Sequence, residues 1–556
     1  MPEQAELLDR LRAADSLAAL EPAGAAASPA GAALLDEFAA SGVKFATSRG
    51  LLDRAWRKAV ELLALCVDAD AAGRPVLQEG GVYRGCWLES TGTINAEVLA
   101  RFCPQTAEAT FRQFADLQRE DGLIPYKVTG GSAVFKQIQL VTPPARSVWH
   151  HYLLDGRDKA FLVHMYRALA RYDEWLARHR NTRGTGCVEA FCAFDTGHDL
   201  SPRFWHIPDT PYRDDPAACD PDSPLLPLLA PDLTASVFCG RRYLARMAAE
   251  LGDEAAAARW RDAAEETRRA LMRHCYDEAD GFFYDVDSCG RFIRIQSDVL
   301  LHVLACEAAD DGLFAASLER YLLNTRKFFA KYPFTPIAMD DPRFDPHAAY
   351  NTWAGAVNFL SLLRAPRAFD HYGRFVELTW VIHPILAAMA RIERFGQVLS
   401  PWTGAEGYTE AYSPAILCLL DYVERLCSIL PAPEGELWFT GLLPKGMDHG
   451  VQLADETAYS RMVDGHRYEL HNTRETMAVC KDGRLLLTAP AGVRVVTDRS
   501  GALRGVIGMT VRPVEGVIRT EDAELPFCAE GNAVLRYVDG RLLPAASPGV
   551  VFPNHG

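Results

Sequence analysis

The sequence predicts a mainly α-helical chain that ends in a small all-β unit. From residue 51 to about 430, segment after segment carries apolar residues at i, i+3, i+4 and i+7, the spacing of one helix face. After about residue 432 the pattern changes to short runs broken by turn signals such as Lys481-Asp482-Gly483 and Arg499-Ser500-Gly501. No clean repeat of about 34–45 residues is present, which argues against an open solenoid.

The elements divide into three stretches. Residues 1–50 read as a short amphipathic helix and an Ala/Gly/Pro/Ser linker at 21–31. Residues 51–431 contain helical patterns at 51–68, 96–120, 144–154, 158–179, 230–251, 254–276, 292–307, 315–329, 350–363, 368–394 and 413–429. Their paired succession across loops rich in Gly, Pro and Asp suggests helical hairpins. Residues 432–556 form the β unit, with strands expected at 436–439, 467–472, 476–480, 484–488, 492–497, 502–513 and 534–538.

Composition narrows the function classes. The 556 residues are 49% hydrophobic and 24% charged, which is enough for a large core without staples or metals. Net charge is −15, from 58 basic and 73 acidic residues, which argues against nucleic acid and anionic membrane surfaces as partners. No apolar run reaches the ~18 residues of a membrane span. The N-terminus lacks a basic segment followed by an apolar core, so no signal peptide is expected. The fourteen cysteines contain no CxxC. They read as reduced thiols of a cytoplasmic protein, with a Cys187–Cys192 pair as the alternative.

Five loops concentrate aromatic and acidic residues. Gly80–Ser90 holds Trp87 and Glu89: a ring suited to a pyranose face and a carboxylate suited to neighbouring hydroxyls. A buried Trp and a capping Glu is the structural alternative. The loop 118–126 offers Gln118, Asp121 and Tyr126 around an Asp-Gly turn. In Phe194–Trp205, Asp199 is a general-acid candidate, because a carboxylic acid shielded by aromatics keeps its proton near neutral pH. His198 there is a possible base or a structural group, and Asp195 could cap or pair with Arg203. The loop 350–358 carries Trp353. The loop 395–413 carries Gln397, Trp402, Glu406, Tyr408 and Glu410. If the hairpins close into a toroid, these loops converge on one rim and build an acidic, aromatic-lined pocket for a small neutral polyol. Paired carboxylates across such a pocket are the minimum machinery of glycoside hydrolysis. No phosphate loop, nucleophile elbow, zinc helix or dinucleotide fingerprint is visible, so neither cofactor nor metal is expected.

The motif order over about residues 75–430 resembles the six-hairpin (α/α)6-barrel glycosidases, closest to the mannosylglycerate hydrolase-like members of the trehalase and family-63 glycoside hydrolase group. Thr196-Gly197-His198-Asp199-Leu200-Ser201-Pro202-Arg203 is similar to that group's Ser-Gly-x-Asp-x-Ser-Pro segment. The resemblance implies an (α/α)6 toroid, inverting hydrolysis and Asp199 as general acid. Ala230–Ala235 and Asp277–Asp285 resemble two further motifs of the group, of mainly structural role. Three departures stand out. The group's Tyr-Trp-Arg-Gly reads Thr352-Trp353-Ala354-Gly355, its Trp-Asp reads Trp87-Leu88-Glu89, and its general-base Glu falls on Gln397. An amide does not take a proton from water by itself. Two expectations follow: a hydrolase with Glu406 or Glu410 as base and Gln397 holding the water or a hydroxyl, or a repurposed barrel acting as an acid-initiated isomerase, cyclase or dehydratase. A non-catalytic sugar-binding protein is the third. Oligomeric state and substrate are not encoded in any motif.

Overall fold

The computed structural model describes residues 3–13, 28–347, 351–447 and 452–556; the linker expected at 21–31 lies largely outside them. Six inner helices form a closed ring: Ala96–Leu99 with the preceding turn Thr91–Asn95, then Pro144–Leu154, Pro231–Glu250, Val299–Ala305, Phe359–His371 and Ser413–Cys427. Each packs on the next, and the last returns to the first. Six outer segments alternate with them: Leu51–Leu63, Pro104–Asp116, Lys159–His179, Glu254–His274, the pair Asp311–Ser317 and Leu318–Leu322, and Phe375–Met389. This is the (α/α)6 toroid.

Composition separates the rings. Every residue of Ser413–Cys427 is buried, as befits a helix surrounded by helices. Glu254–His274 buries only one stripe. Proline opens Pro144–Leu154 and Pro231–Glu250, and Pro414 follows Ser413, where a missing N–H costs nothing and the fixed φ fits. Asn358 caps Phe359–His371 by accepting the Leu360 N–H at 2.8 Å.

Several helices are shorter than their patterns. The segment 96–120 breaks at Ala100–Cys103 before Pro104, and the 292–307 pattern begins as a strand, Phe292–Ile293, with its helix starting at Val299. The 315–329 pattern stops at Leu322, and 350–363 becomes helix only at Phe359. The 368–394 pattern is two helices, divided at Gly373, which has a φ of 64°. Amphipathic spacing persists through these breaks because loop residues bury their apolar side chains too.

The β region is two antiparallel sheets. One has seven strands in the order 44–47, 457–463, 466–472, 476–481, 484–490, 514–520, 524–529; the other has six, in the order 429–432, 436–440, 493–498, 503–508, 534–538, 541–546. The edge strand Lys44–Thr47 lies in the stretch expected to be helix and linker. It pairs with Thr457–Ser460, so the N-terminal segment completes a sheet of the C-terminal unit. The sandwich covers the rim at which the inner helices end. There the Asn472 side chain donates to the Cys427 carbonyl at 3.0 Å, Arg494 donates to the Arg425 carbonyl at 2.9 Å, and Arg461 pairs with Glu424 and reaches the Arg101 carbonyl. The opposite rim, where inner helices begin, stays open. It receives all five aromatic and acidic loops.

Among the described residues no helix is long and apolar enough to cross a membrane. All fourteen cysteines are free thiols. Cys187 hydrogen-bonds Cys275, not Cys192.

Arg461 and Glu424 are both buried at this junction. Breaking a buried ion pair by removing one partner costs about 3–5 kcal/mol. Arg461→Ala is therefore expected to lower unfolding free energy by about that much in a denaturant titration. An unchanged midpoint contradicts the assigned role of this junction.

Candidate active site

Short sheets stitch the open-rim loops together. Cys86–Trp87 pairs with Lys127–Thr129, and Val357–Asn358 pairs with Val398–Leu399. An isolated bridge joins Gly80 to Tyr412. Loops distant in sequence are thereby held as one surface.

Arg203 fixes the loop that carries Asp199. Its guanidinium grips Asp285 with two bonds of 2.8 Å and donates to Asp232 at 2.7 Å and to His198 Nδ1 at 3.1 Å. All four residues are buried. Three motifs thus meet at one cation: Ser201-Pro202-Arg203, the Asp232 helix start and the Asp285 turn. Because the guanidinium only donates, His198 accepts at Nδ1 and carries its proton on Nε2. Burial, then His302, Arg203 and Arg364, hold the His198 pKa well below the ordinary value, so the ring is neutral.

Gly197 has a φ of 73°, and a Cβ there would meet Glu89 Oε2 at 1.9 Å. Glycine is required twice, for the left-handed turn and for the carboxyl lying on it. The Glu89 pKa is pushed up to about 8 by burial, opposed by Arg364 and reinforced by Glu79 and Asp199. The Asp199 pKa is pushed up to about 7 by burial and by Asp209. Asp199 Oδ1, His198 Nε2, His302 Nδ1 and Trp353 Nε1 are all buried without a hydrogen-bond partner in the protein, and Glu89 Oε2 has only the Arg364 guanidinium, 3.5 Å away. His198 lies 4.2 Å from the Trp353 ring and 4.9 Å from His302. Buried polar groups are ordinarily satisfied. This wall of unmatched donors and acceptors beside aromatic rings suits a hydroxyl-rich ligand.

A second cluster on this rim centres on Gln397. The Tyr83 hydroxyl donates to its Oε1 at 2.9 Å, and its Nε2 donates to the Tyr412 hydroxyl at 3.3 Å. Tyr83 also packs against Trp87, Tyr408 and Tyr412. Burial raises the Tyr83 pKa, with Tyr408 and Asp199 adding to it. Asp199 thus acts electrostatically on the phenol that hydrogen-bonds Gln397. Tyr126 lies near Asp199 as well: its pKa is raised by burial, then by Asp214 and Asp199. Trp87 is half-buried, with the Lys127 ammonium 4.1 Å from its ring centroid.

Other expected site residues are occupied elsewhere, each for a stated reason. Asp195 does not pair with Arg203. It grips Arg180 and accepts the Ile138 and Phe191 N–H groups, so its lone pairs are taken. Arg203 is likewise saturated by its buried partners. Gln118 donates to the Gly122 and Ala168 carbonyls at 2.7 and 2.8 Å, latching its loop to an outer helix. Asp121 closes its own turn through Arg119, Leu123 and the Trp175 indole. Glu406 accepts backbone N–H groups from Glu393, Arg394 and Gly396. Glu410 is exposed. Trp402 is also exposed, edge-on to Phe344 at 6.2 Å.

Sequence reasoning missed Glu79, Tyr83, His302, Arg364 and Tyr412. Arg364 is a buried cation, 3.5 Å from Glu89 and 3.3 Å from His302 Nε2, on an inner helix that also carries Arg367 and Asp370. No spacing in the sequence set it apart from Arg367. A guanidinium thus reaches the pocket although position 354 is alanine. His198, Asp298 and His302 also place potential metal donors within 4.8 Å of one another. Arg203 and Arg364 already bond the two imidazoles, which sets positive charge against a cation there.

Removing Arg203 strands Asp232 and Asp285 as buried carboxylates. Arg203→Met is expected to cost about 3–5 kcal/mol of stability in urea unfolding. Wild-type stability in this variant contradicts the clamp.

Residues 86–413 match the family described as the mannosylglycerate hydrolase MGH1-like glycoside hydrolase domain. No curated protein sequence matches. Among solved structures, the GH63 mannosylglycerate hydrolase of Thermus thermophilus, in complex with Tris, is 19% identical with a TM-score of 0.56. That similarity covers 66% of this chain and 100% of that one. A structure titled sialidase is 14% identical with a TM-score of 0.63, over 88% of this chain and 44% of that one. The GH78 rhamnosidase of Bacillus sp. GL1 is 12% identical with a TM-score of 0.54, over 78% of this chain and 40% of that one. These likenesses share the fold, while the match over 86–413 takes in most of the barrel and its open-rim loops: the chain belongs to the MGH1-like glycoside hydrolase family.

Proposed function

We propose that the chain hydrolyses a small glycoside with inversion, Asp199 acting as general acid. One observation carries this reading. Asp199 lies beside Glu89, His198 and the tyrosines, has a pKa pushed up to about 7, and keeps a buried, unpartnered Oδ1. A carboxylic acid in that state donates its proton to a departing glycosidic oxygen. Glu89, with a pKa pushed up to about 8, is protonated at neutral pH and donates to a sugar hydroxyl. Trp87, Trp353, Tyr126 and Tyr408 supply aromatic surface. Gln397, held by Tyr83 and Tyr412, orients the attacking water. Glu406 is not suited to be the base, because backbone N–H groups already hold its oxygens.

Mannosylglycerate and related glycosides of small polyols form the first substrate panel, since a T. thermophilus relative is named for that activity. A second reading rests on Gln397 alone. A site without a carboxylate at that position suits acid-initiated isomerisation or dehydration, and product analysis separates the two.

Asp199→Asn keeps the shape and removes the transferable proton. It is expected to lower kcat by about 10²–10⁴-fold with unchanged folding. A raised acid pKa means the active form is lost as pH rises. For the wild type, kcat/KM is expected to fall with increasing pH through about 7, the value set at Asp199. Near-wild-type turnover by the Asn variant, or a flat profile from about pH 6 to 9 on a non-activated substrate, overturns the assignment.

A further inference from the structure

A hydrolase needs somewhere to put the water's proton, and the side chain proposed to hold that water, Gln397, is an amide. The surroundings of Gln397 show where that proton can go. Glu79 and Tyr412 are neighbours: the Ser413 N–H donates to the Glu79 carbonyl at 2.8 Å, Gly80 bridges to Tyr412, and Glu79 adds to burial in raising the Tyr412 pKa. The Glu79 carboxyl accepts from Ser90 at 2.6 Å and Thr91 at 3.1 Å, and all four residues, Glu79, Ser90, Thr91 and Tyr412, are buried. A phenol has one hydrogen. Tyr412 accepts from Gln397 Nε2 at 3.3 Å, which leaves its own hydrogen for the neighbouring Glu79 carboxyl. That fixes the amide: Nε2 faces Tyr412, and Oε1 faces Tyr83. The three groups form a directed chain whose hydrogens all point from Gln397 toward Glu79.

Gln397 is also rigid. It is 3% exposed. Its N–H donates to the Tyr408 carbonyl at 2.8 Å, and its carbonyl accepts the Phe359 N–H at 3.1 Å. Tyr83 occupies one lone pair of Oε1 and leaves the other for a water.

We propose that Gln397 takes the water's proton at Oε1 while passing a proton from Nε2 through the Tyr412 hydroxyl to Glu79, so that the buried Glu79 carboxylate is the terminal base. This rests on the hydrolytic reading above. The water O–H breaks and its oxygen bonds the anomeric carbon. The glycosidic C–O bond breaks, and its oxygen takes the proton of Asp199. Oε1 gains one hydrogen as Nε2 loses one, so the amide passes to its imidic acid form without net charge. Tyr412 gains the Nε2 proton as it gives its own to Glu79, which becomes a neutral acid. After product leaves, the shifts reverse. Glu79 returns a proton through Tyr412 to Nε2, and the Oε1 hydrogen passes through solvent to Asp199. Burial raises the Glu79 pKa against the bonds from Ser90 and Thr91, which makes it a stronger proton acceptor than an exposed carboxylate.

Substrates with a 2,4-dinitrophenyl leaving group test the chain separately from the acid, because that leaving group departs without protonation. The probes are 2,4-dinitrophenyl glucosides and mannosides, with and without sodium azide. On the one the wild type hydrolyses, Tyr412→Phe and Glu79→Gln are each expected to lose about 10²-fold in kcat, the scale of a general base, with KM little changed. Azide has no proton to lose, so it should restore their rates and yield a glycosyl azide. Gln397→Glu placed in either background should restore the water reaction. A purely structural role for Tyr412 and Glu79 predicts neither rescue. A kcat within about two-fold of wild type in Tyr412→Phe overturns the relay, as does a loss that neither azide nor Gln397→Glu repairs. Tyr412→Phe carries the test alone if Glu79→Gln fails to fold. Loss of activity in Asp199→Asn on natural-type glycosides together with intact Tyr412→Phe would sink the relay and leave the hydrolase standing. No wild-type turnover of any glycoside would sink both.

Discussion

A single buried guanidinium organises the open rim. Arg203 is enclosed by Asp232, Asp285 and His198, drawn from a helix start, a turn and the loop that bears Asp199. Burying a charge is costly unless it is paired and hydrogen-bonded. The arrangement is therefore stable only when all three segments are in place at once. The placement on the rim of Asp199, which follows His198 in the chain, is a consequence of that closure. So is the neutrality of His198, which sits among cations and out of water.

The toroid divides stability from chemistry between its two ends. At one rim the sandwich seals the ends of the inner helices through buried pairs such as Arg461 with Glu424. At the other, loops entering the inner helices leave polar atoms of Asp199, His198 and Trp353 buried without hydrogen-bond partners in the protein. Unsatisfied groups weaken a fold, and the closed rim with its continuous core supplies the compensating rigidity. The same rigidity holds Gln397 between two phenols.

Much of this was legible in the sequence. The helical period located the barrel, because inner and outer helices both bury stripes of apolar side chains. The segment around Asp199 was readable because Gly197, Ser201 and Pro202 each answer a local demand of one loop. Partners brought together by tertiary closure were not readable. Arg180 rather than Arg203 satisfies Asp195, and nothing in the local spacing distinguishes the two cations. Gln118 and Asp121 sit in an acidic, glycine-containing loop that looks like a site, yet their bonds close turns on the outer surface. The strand Lys44–Thr47 was hidden because its partner, Thr457–Ser460, lies at the far end of the chain. Glu79 and Arg364 went unnoticed because their importance comes from burial, which single-residue chemistry does not show.

The central claim is that this rim delivers a proton from one side of a glycosidic bond and water from the other. The most direct measurement is the anomeric configuration of the first sugar released, followed by proton NMR before mutarotation erases it. Direct attack by water, as proposed for Gln397, predicts that the first product has the anomeric configuration inverted from the substrate. A product of retained configuration, or an isomerised or dehydrated product with no hydrolysis, contradicts the account.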